Sequence, residues 1–235
     1  MLVKSEALVL KKTPYSDNSA VIQIYTRNYG SLAFIVSGMH GKTGKSALLQ
    51  PGNIIDLVFY YQENKNLKRI REIKISDGFL GYHDNPVKQQ IMIFCIELLQ
   101  RSIPEEQEDR RIFDYAVAQL NVLGKLKEFT WFPLQFLLGF TEVSGLGFEL
   151  PNEKKETYFL LESADHSYAR HTLNPLQYLD KEEIDAVQKI NNKQIPNLDK
   201  NGRRLLTEKL LYYFRLHLFP EKELKSFPIL MEVLE

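Results

Sequence analysis

Apolar residues in this chain recur with a period of two as far as about Gly78 and with helical spacing beyond it. One sheet or one bundle cannot satisfy both periods, so the pattern demands a β-rich front followed by a helical region. At 235 residues the chain is long enough for two ordinary domains. The expected division is 1–80 and 81–235, an α+β multidomain protein.

Five segments rich in β-branched and aromatic residues fill the front: Leu2–Lys11, Ala20–Thr26, Ser31–Val36, Asn53–Tyr61 and Leu67–Ile75. Pro14-Tyr15-Ser16-Asp17-Asn18 breaks the first from the second, Asn28-Tyr29-Gly30 reads as a tight hairpin, and Glu63-Asn64-Lys65-Asn66 closes the last pair. Ala20, Ile22 and Ile24 face one way while Val21, Gln23 and Tyr25 face the other. Ile55, Leu57, Phe59 and Tyr61 share a face in the fourth segment. In the fifth, Ile70 and Ile73 are three apart, which predicts a bulge near Arg71-Glu72 or a weaker edge. Residues 37–52 leave room for one short helix at Ser46-Ala47-Leu48-Leu49-Gln50. Five strands with a helix after the third is the order of the oligonucleotide-binding (OB-fold) barrel.

Beyond Gly78, residues 86–101 are apolar nearly all round, which predicts a helix buried on most sides. Ile112, Ala116, Leu120 and Leu123 form one stripe on the next helix, which ends near Gly124. Further helices are expected over Phe129–Val143, Asp180–Ile190 and Arg203–Leu218, and a last stretch over Glu221–Leu234 is split by Pro228. An irregular insertion near 148–178 contains Thr157-Tyr158-Phe159-Leu160-Leu161, which can pair as a short strand.

Charge follows the same division. The chain as a whole balances 30 Lys and Arg against 30 Asp and Glu, but residues 1–80 hold 11 basic and 6 acidic side chains, net +5, which leaves −5 for the rest. A near-neutral total argues against indiscriminate coating of DNA, yet a basic front can still hold phosphates. The one cysteine, Cys95, lies in an apolar run, so it reads as a small hydrophobe and no disulfide forms within one chain. With no secretory-type start and no run of 18 apolar residues, the expected location is the cytoplasm, with no membrane partner.

Gly38-Met39-His40-Gly41-Lys42-Thr43-Gly44-Lys45-Ser46 resembles a phosphate-binding P-loop, but five residues separate Gly38 from Gly44 where the motif needs four, and Met39 takes the place of the required Gly. A flexible basic loop is the better reading, in which backbone amides and the point charges of Lys42 and Lys45 meet phosphates. Around it lies a set of cations interleaved with aromatics: Lys11, Lys12, Tyr15, Tyr25, Arg27, Tyr29, Lys65, Lys68, Arg69 and Arg71. On an OB barrel such residues hold single strands, phosphates on Lys and Arg and bases on rings. The plainer alternative is that Tyr25 and Tyr29 pack and the charges are solvated surface. The five histidines show no metal spacing save His166 with His171, in a loop-like stretch where exposure is the expectation. No nucleophile with a positioned base stands out, so the expected protein is not an enzyme and carries no metal or cofactor.

Several of these segments together resemble the bacterial recombination-mediator family RecO: Glu6-Ala7-Leu8-Val9-Leu10-Lys11, Tyr15-Ser16-Asp17, Tyr25-Thr26-Arg27-Asn28-Tyr29-Gly30, Gly38 before the basic loop, and Leu48-Leu49-Gln50-Pro51-Gly52. Weaker echoes follow in Phe136-Leu137-Leu138-Gly139-Phe140, Arg203-Arg204-Leu205-Leu206 and Leu224-Lys225-Ser226. The resemblance implies an OB domain joined to a helical domain, binding of single- and double-stranded DNA, and annealing of complementary strands coated with single-strand-binding protein. It also implies docking on that protein's acidic C-terminal tail and cooperation with RecR in loading RecA. The four-cysteine zinc module of some members has no counterpart after Gly147, so no zinc is expected.

An acidic, aromatic tail calls for a pocket with cations at its lip and apolar walls. The helices around Phe129–Phe140 and Arg203–Leu218 offer such residues, with Arg203, Arg204, Lys209 and Arg215 as the lip. Two rivals stand beside this reading: a nucleotide enzyme resting on the defective glycine loop, and a non-catalytic scaffold whose OB barrel binds protein.

Overall fold

The computed structural model describes residues 1–39, 45–76, 82, 85–147, 158–168, 174–219 and 223–234. Contacts divide the chain into two compact units, Met1–Lys127 and Glu128–Glu235. The barrel ends near residue 75, and the first two long helices belong to the same unit as the barrel.

Strands β1 (Leu2–Ser16), β2 (Ser19–Thr26), β3 (Gly30–Ser37), β4 (Ile54–Tyr60) and β5 (Leu67–Ile75) close a barrel in the order β1-β2-β3-β5-β4. Closure between β3 and β5 is parallel and short, through Ala33 with Leu67 and Phe34 with Lys68, whereas every other pair is antiparallel. A one-turn helix α1 (Lys45–Leu48) lies between β3 and β4. This is the OB topology expected from the strand order.

Alternation fixes which residues fill the barrel. Val3, Ala7, Val9, Ala20, Ile22, Ile24, Leu32, Phe34, Ile55, Leu57 and Phe59 point inward, and Leu49 behind α1 plugs one end. Each fully buried aliphatic or aromatic side chain contributes about 1.5–3 kcal/mol, so the sheet cannot slip register by one residue without losing all of them. The bulge expected near Arg71 is present: Val58 pairs with Glu72 and Phe59 with Ile70, which leaves Arg71 as the extra residue.

The first strand runs five residues past its expected end. Pro14 pairs with Ala20 and Ser16 with Ser19, so only Asp17 and Asn18 turn the chain. Proline is tolerated there because it adjoins a register irregularity between Pro14 and Ser16, where the ladder is already interrupted.

Helices α2 (Pro86–Ser102) and α3 (Arg110–Lys125) complete the first unit. Asn85 caps α2 by accepting from the Lys88 amide at 3.0 Å, and Asp109 caps α3 by accepting from the amides of Arg111 and Ile112. Their apolar faces explain why Leu8, Tyr25 and Ile54, on the outer face of the barrel, are buried too.

In the second unit, α4 (Phe132–Val143), α5 (Lys181–Asn191), α6 (Lys200–His217) and α7 (Ser226–Val233) accompany a small sheet of β6 (Tyr158–Leu160), β7 (Asp165–Ser167) and β8 (Tyr178–Leu179) in the order β7-β6-β8. The strand expected within Thr157–Leu161 is therefore present, with Thr157 itself outside the described residues. Pro228 does not split the last helix; it sits in the first turn of α7, where its missing N–H has no intrahelical partner to lose.

Candidate nucleic-acid interface

Basic residues converge where β5 leaves β3. Past Phe34 and Lys68 the two strands no longer pair, and the opening is flanked by Ile35, Ser37, Lys45, Arg69 and Arg71, with Leu49 and Ile73 beneath. Over the lip of β5 a second depression is lined by Lys4, Lys45, Val58, Arg71 and Lys74. Lys45 and Arg71 belong to both, so the two depressions make one cationic surface along the outer face of β1, β4 and β5. The bulge at Arg71 turns an additional cation outward here.

Neighbouring carboxylates neutralise part of this charge. Lys74 pairs with half-buried Asp56 at 3.1 Å and Arg71 with exposed Glu72 at 3.3 Å, and with both cations exposed the pairs are weak enough to exchange for phosphate. Among the described residues Lys4, Lys45 and Arg69 make no ion pair. Lys4, Lys74 and Tyr60 also stand on this face although the basic-aromatic pattern did not single them out. Strand alternation was the available signal, since each flanks an inward residue, Val3, Ile73 or Phe59.

The other expected nucleic-acid residues are scattered. Lys11 and Tyr15 are exposed on the projecting end of β1, where Lys12 donates to the Ser46 hydroxyl at 2.6 Å and so ties β1 to α1. Lys65 is exposed in the β4–β5 loop. Lys42 lies outside the described residues, as do His40, His83 and His171. His166 is half-buried on β7 against Phe159, not in an exposed loop.

Two cations are consumed within the first unit. Lys68 is 2 % exposed, donating to the Lys65 carbonyl and to Glu106 at 3.1 Å, with its ammonium 5.3 Å from the centre of the Tyr61 ring. Arg27 grips Asp114 of α3 through two hydrogen bonds, which hold the Asp114 carboxyl below its ordinary range. Both contacts come from the acidic stretch Glu105-Glu106-Gln107-Glu108-Asp109 and the helix it leads into. That stretch bridges to β3 at Ser31 and Glu105, and the Glu106 amide donates to the Ser31 carbonyl at 3.1 Å. Its packing also takes Tyr25, whose hydroxyl donates to the Asp109 carbonyl at 2.7 Å and whose burial holds its pKa well above the ordinary value. Tyr29 packs on Phe59 and Tyr61. The hairpin end of β2 and β3, the two strands whose face binds ligands in many OB barrels, is here occupied by the protein's own carboxylates and rings.

The second unit carries an apolar groove with arginines at its rim. Leu176, Leu211, Tyr212, Phe219, Leu224 and Phe227 wall a cavity of about 300 Å³, and Arg204 and Arg215 stand at its edge with Glu208 and Glu223. Arg204 pairs with Glu208 at 3.1 Å and Arg215 with Glu223 at 3.4 Å. Of the four expected lip residues, these two meet the groove. Arg203 instead lies over the Trp131 ring at 5.4 Å, where burial lowers its pKa, and Lys209 is buried against Glu183 at 2.5 Å with the Tyr178 ring beside it. Nor does α4 line the groove: Phe132, Phe136 and Phe140 stack in succession within the core.

Topology and surface define a class: an OB-barrel protein with a cationic outer sheet, followed by a helical unit bearing an arginine-rimmed apolar groove. Comparison narrows it. Residues 1–79 match the family described as "Recombination protein O N terminal". Over its whole length the chain is 29% identical across 243 residues to "DNA repair protein RecO" of Bacteroides fragilis, with all of both chains covered. The proteins of the same name from Flavobacterium psychrophilum (27% over 242 residues) and Phocaeicola vulgatus (29% over 246 residues) are matched over 99% of each chain. Over its whole length the chain is thus similar to proteins named DNA repair protein RecO, and its barrel matches the N-terminal family model of those proteins.

Among the described residues no helix is long and apolar enough to cross a membrane.

Proposed function

We propose that this chain is a DNA repair and recombination mediator that acts by binding and not by bond-making chemistry. It holds single- and double-stranded DNA on the cationic face of the barrel, anneals complementary strands coated with single-strand-binding protein, and works with RecR to load RecA. The observation that carries the reading is the convergence of Lys45, Arg69 and Arg71, from α1 and β5, on one open surface. Lys4 and Lys74 extend it, and Lys11, Lys12, Tyr15, Lys42 and Lys65 are proposed as further contacts away from it. Arg27 and Lys68 serve the barrel's internal structure instead, by their contacts to Asp114 and Glu106.

Annealing needs two polyanions to approach. A cationic surface relieves their repulsion, and contacts to phosphate carry no base preference, so strands can slide until they pair. The groove of the second unit is the proposed seat of the acidic tail, with carboxylates at Arg204 and Arg215 and the apolar side chains between Leu211 and Phe227. The test is a fluorescence annealing assay on complementary strands coated with single-strand-binding protein. Acceleration by this chain at low salt, lost when Lys45, Arg69 and Arg71 are replaced by Ala, is the expected result; no acceleration over the protein-free reaction contradicts the reading.

A further inference from the structure

We infer that Tyr60 is the ring on which the barrel stacks an unpaired base, an assignment that rests on the nucleic-acid reading and adds a single-strand-specific contact to it. Binding to single strands combines phosphate contacts with exposed aromatic faces held by a rigid element. The rings nearest the β2–β3 end cannot serve. Tyr25 is fully buried with its edge on Phe113 at 5.4 Å, and Tyr29 packs against Phe59 at 5.6 Å and Tyr61 at 4.9 Å. Two tyrosines of the barrel are widely exposed: Tyr15 at 70 %, on the far end of the β1 arm, and Tyr60 at 50 %, in the barrel wall.

Tyr60 has the surroundings that stacking requires. It points outward because Phe59 points into the core, and it is the register partner of Arg69 on β5 and of Leu2 on β1. Residues opposite each other on one face of an antiparallel pair bring their Cβ atoms within about 5.5 Å. The ring therefore starts from the position opposite Arg69, whose side chain edges the cationic opening, and half-exposed Leu2 is its register partner on the other side. A strand whose phosphates rest on Arg69, Arg71 and Lys45 presents its next base to this ring. A duplex, whose bases are already stacked, gains nothing from it, so Tyr60 favours single strands over double strands on a surface otherwise blind to the difference.

The experiment measures affinity by fluorescence anisotropy for a single-stranded thymidine oligonucleotide and for an abasic oligonucleotide of equal length. The full chain is compared with Tyr60→Phe, Tyr60→Leu and Tyr60→Thr, the last suited to an exposed strand position. The parent and Tyr60→Phe are expected to prefer the base-bearing strand by roughly 5- to 100-fold. Tyr60→Leu and Tyr60→Thr lose that preference while binding the abasic strand as the parent does, which also shows them folded. Retention of the preference in both, its absence in the parent, or an equal loss on both strands overturns the assignment. Failure of the parent to bind either strand at low salt overturns the nucleic-acid reading beneath it, a distinguishable result.

Discussion

The guanidinium of Arg27 holds both carboxylate oxygens of Asp114, Nε at 2.6 Å and Nη2 at 2.9 Å. A cation at the β2–β3 hairpin, which ends the strand 2–3 face that many OB barrels present to a ligand, is thereby engaged by a helix of the same unit. Arg27→Ala is expected to leave DNA affinity within about twofold of the parent, since Nε and Nη2 of its guanidinium are already engaged by Asp114 and no phosphate contact is removed. A loss comparable to that of the Arg69 and Arg71 variants contradicts the assignment. The pair also titrates. The Arg27 hydrogen bonds depress the Asp114 pKa, so its contribution to stability is present above the ordinary carboxylate range and disappears as pH falls through the lowered value. Carboxyl NMR titration should show the Asp114 pKa rising toward the ordinary value in Arg27→Ala.

In the second unit Lys209 and Glu183 form a buried pair, unlike the exposed pair of Arg27 and Asp114. Burial raises the Glu183 pKa, opposed by Lys209 and by the Asp180 amide. Removing the cation alone leaves a buried carboxylate uncompensated, and Lys209→Met is expected to destabilise the unit by about 3–5 kcal/mol. Glu183→Gln combined with Lys209→Met removes both charges and keeps the capping carbonyl for the Asp180 amide, so most of the loss should be recovered. Chemical denaturation of the two variants distinguishes this from a surface role, in which both changes are nearly neutral.

Gly30 ends the β2–β3 turn at φ +69°, and a Cβ there would lie 2.5 Å from the Gln107 carbonyl oxygen. Gly30→Ala therefore strains the turn and displaces the acidic stretch beside it. A loss of more than about 1 kcal/mol is expected, beyond the effect at an ordinary exposed glycine. Thermal unfolding checks it. A neutral substitution contradicts the seating of Gln107 against the hairpin.

Arg204→Ala with Arg215→Ala is expected to weaken binding of a labelled peptide ending in acidic and aromatic residues by at least tenfold, with the chain's fold intact. Both arginines sit in exposed pairs with Glu208 and Glu223, which contribute about 0–1 kcal/mol each and release them readily. Arg203→Ala should matter less to the peptide than the pair, because its guanidinium lies over Trp131. Fluorescence polarisation with the double variant and with Arg203→Ala decides it.

The barrel was readable in the sequence because its strands are half-buried. Alternation at Ala20-Ile22-Ile24 and Ile55-Leu57-Phe59, and its break between Ile70 and Ile73, encode face, register and bulge directly. Pro14 misled because local turn chemistry says nothing of a ladder irregularity that accommodates it. The site was only partly readable for a related reason. Lys68 and Arg69 are adjacent in sequence but face opposite ways, one buried against Glu106 and the other open beside Tyr60. Asp114 lies 87 residues from Arg27, so the contact that engages this arginine has no local signature. Lys209 reads as a surface charge on α6 until Glu183, from another helix, is brought against it. Walls of the groove come from three separated stretches around Leu176, Leu211 and Phe227, which periodicity along any one helix does not join.

The most direct measurement is the salt dependence of single-stranded DNA affinity in the parent and in the Lys45→Ala, Arg69→Ala, Arg71→Ala triple variant. If the β5–α1 surface carries the phosphates, the triple variant binds more weakly and its slope of log K against log salt is shallower by about 0.7 for each contact removed, about 2 in all. An unchanged slope with a folded variant would place the phosphates elsewhere and contradict the account.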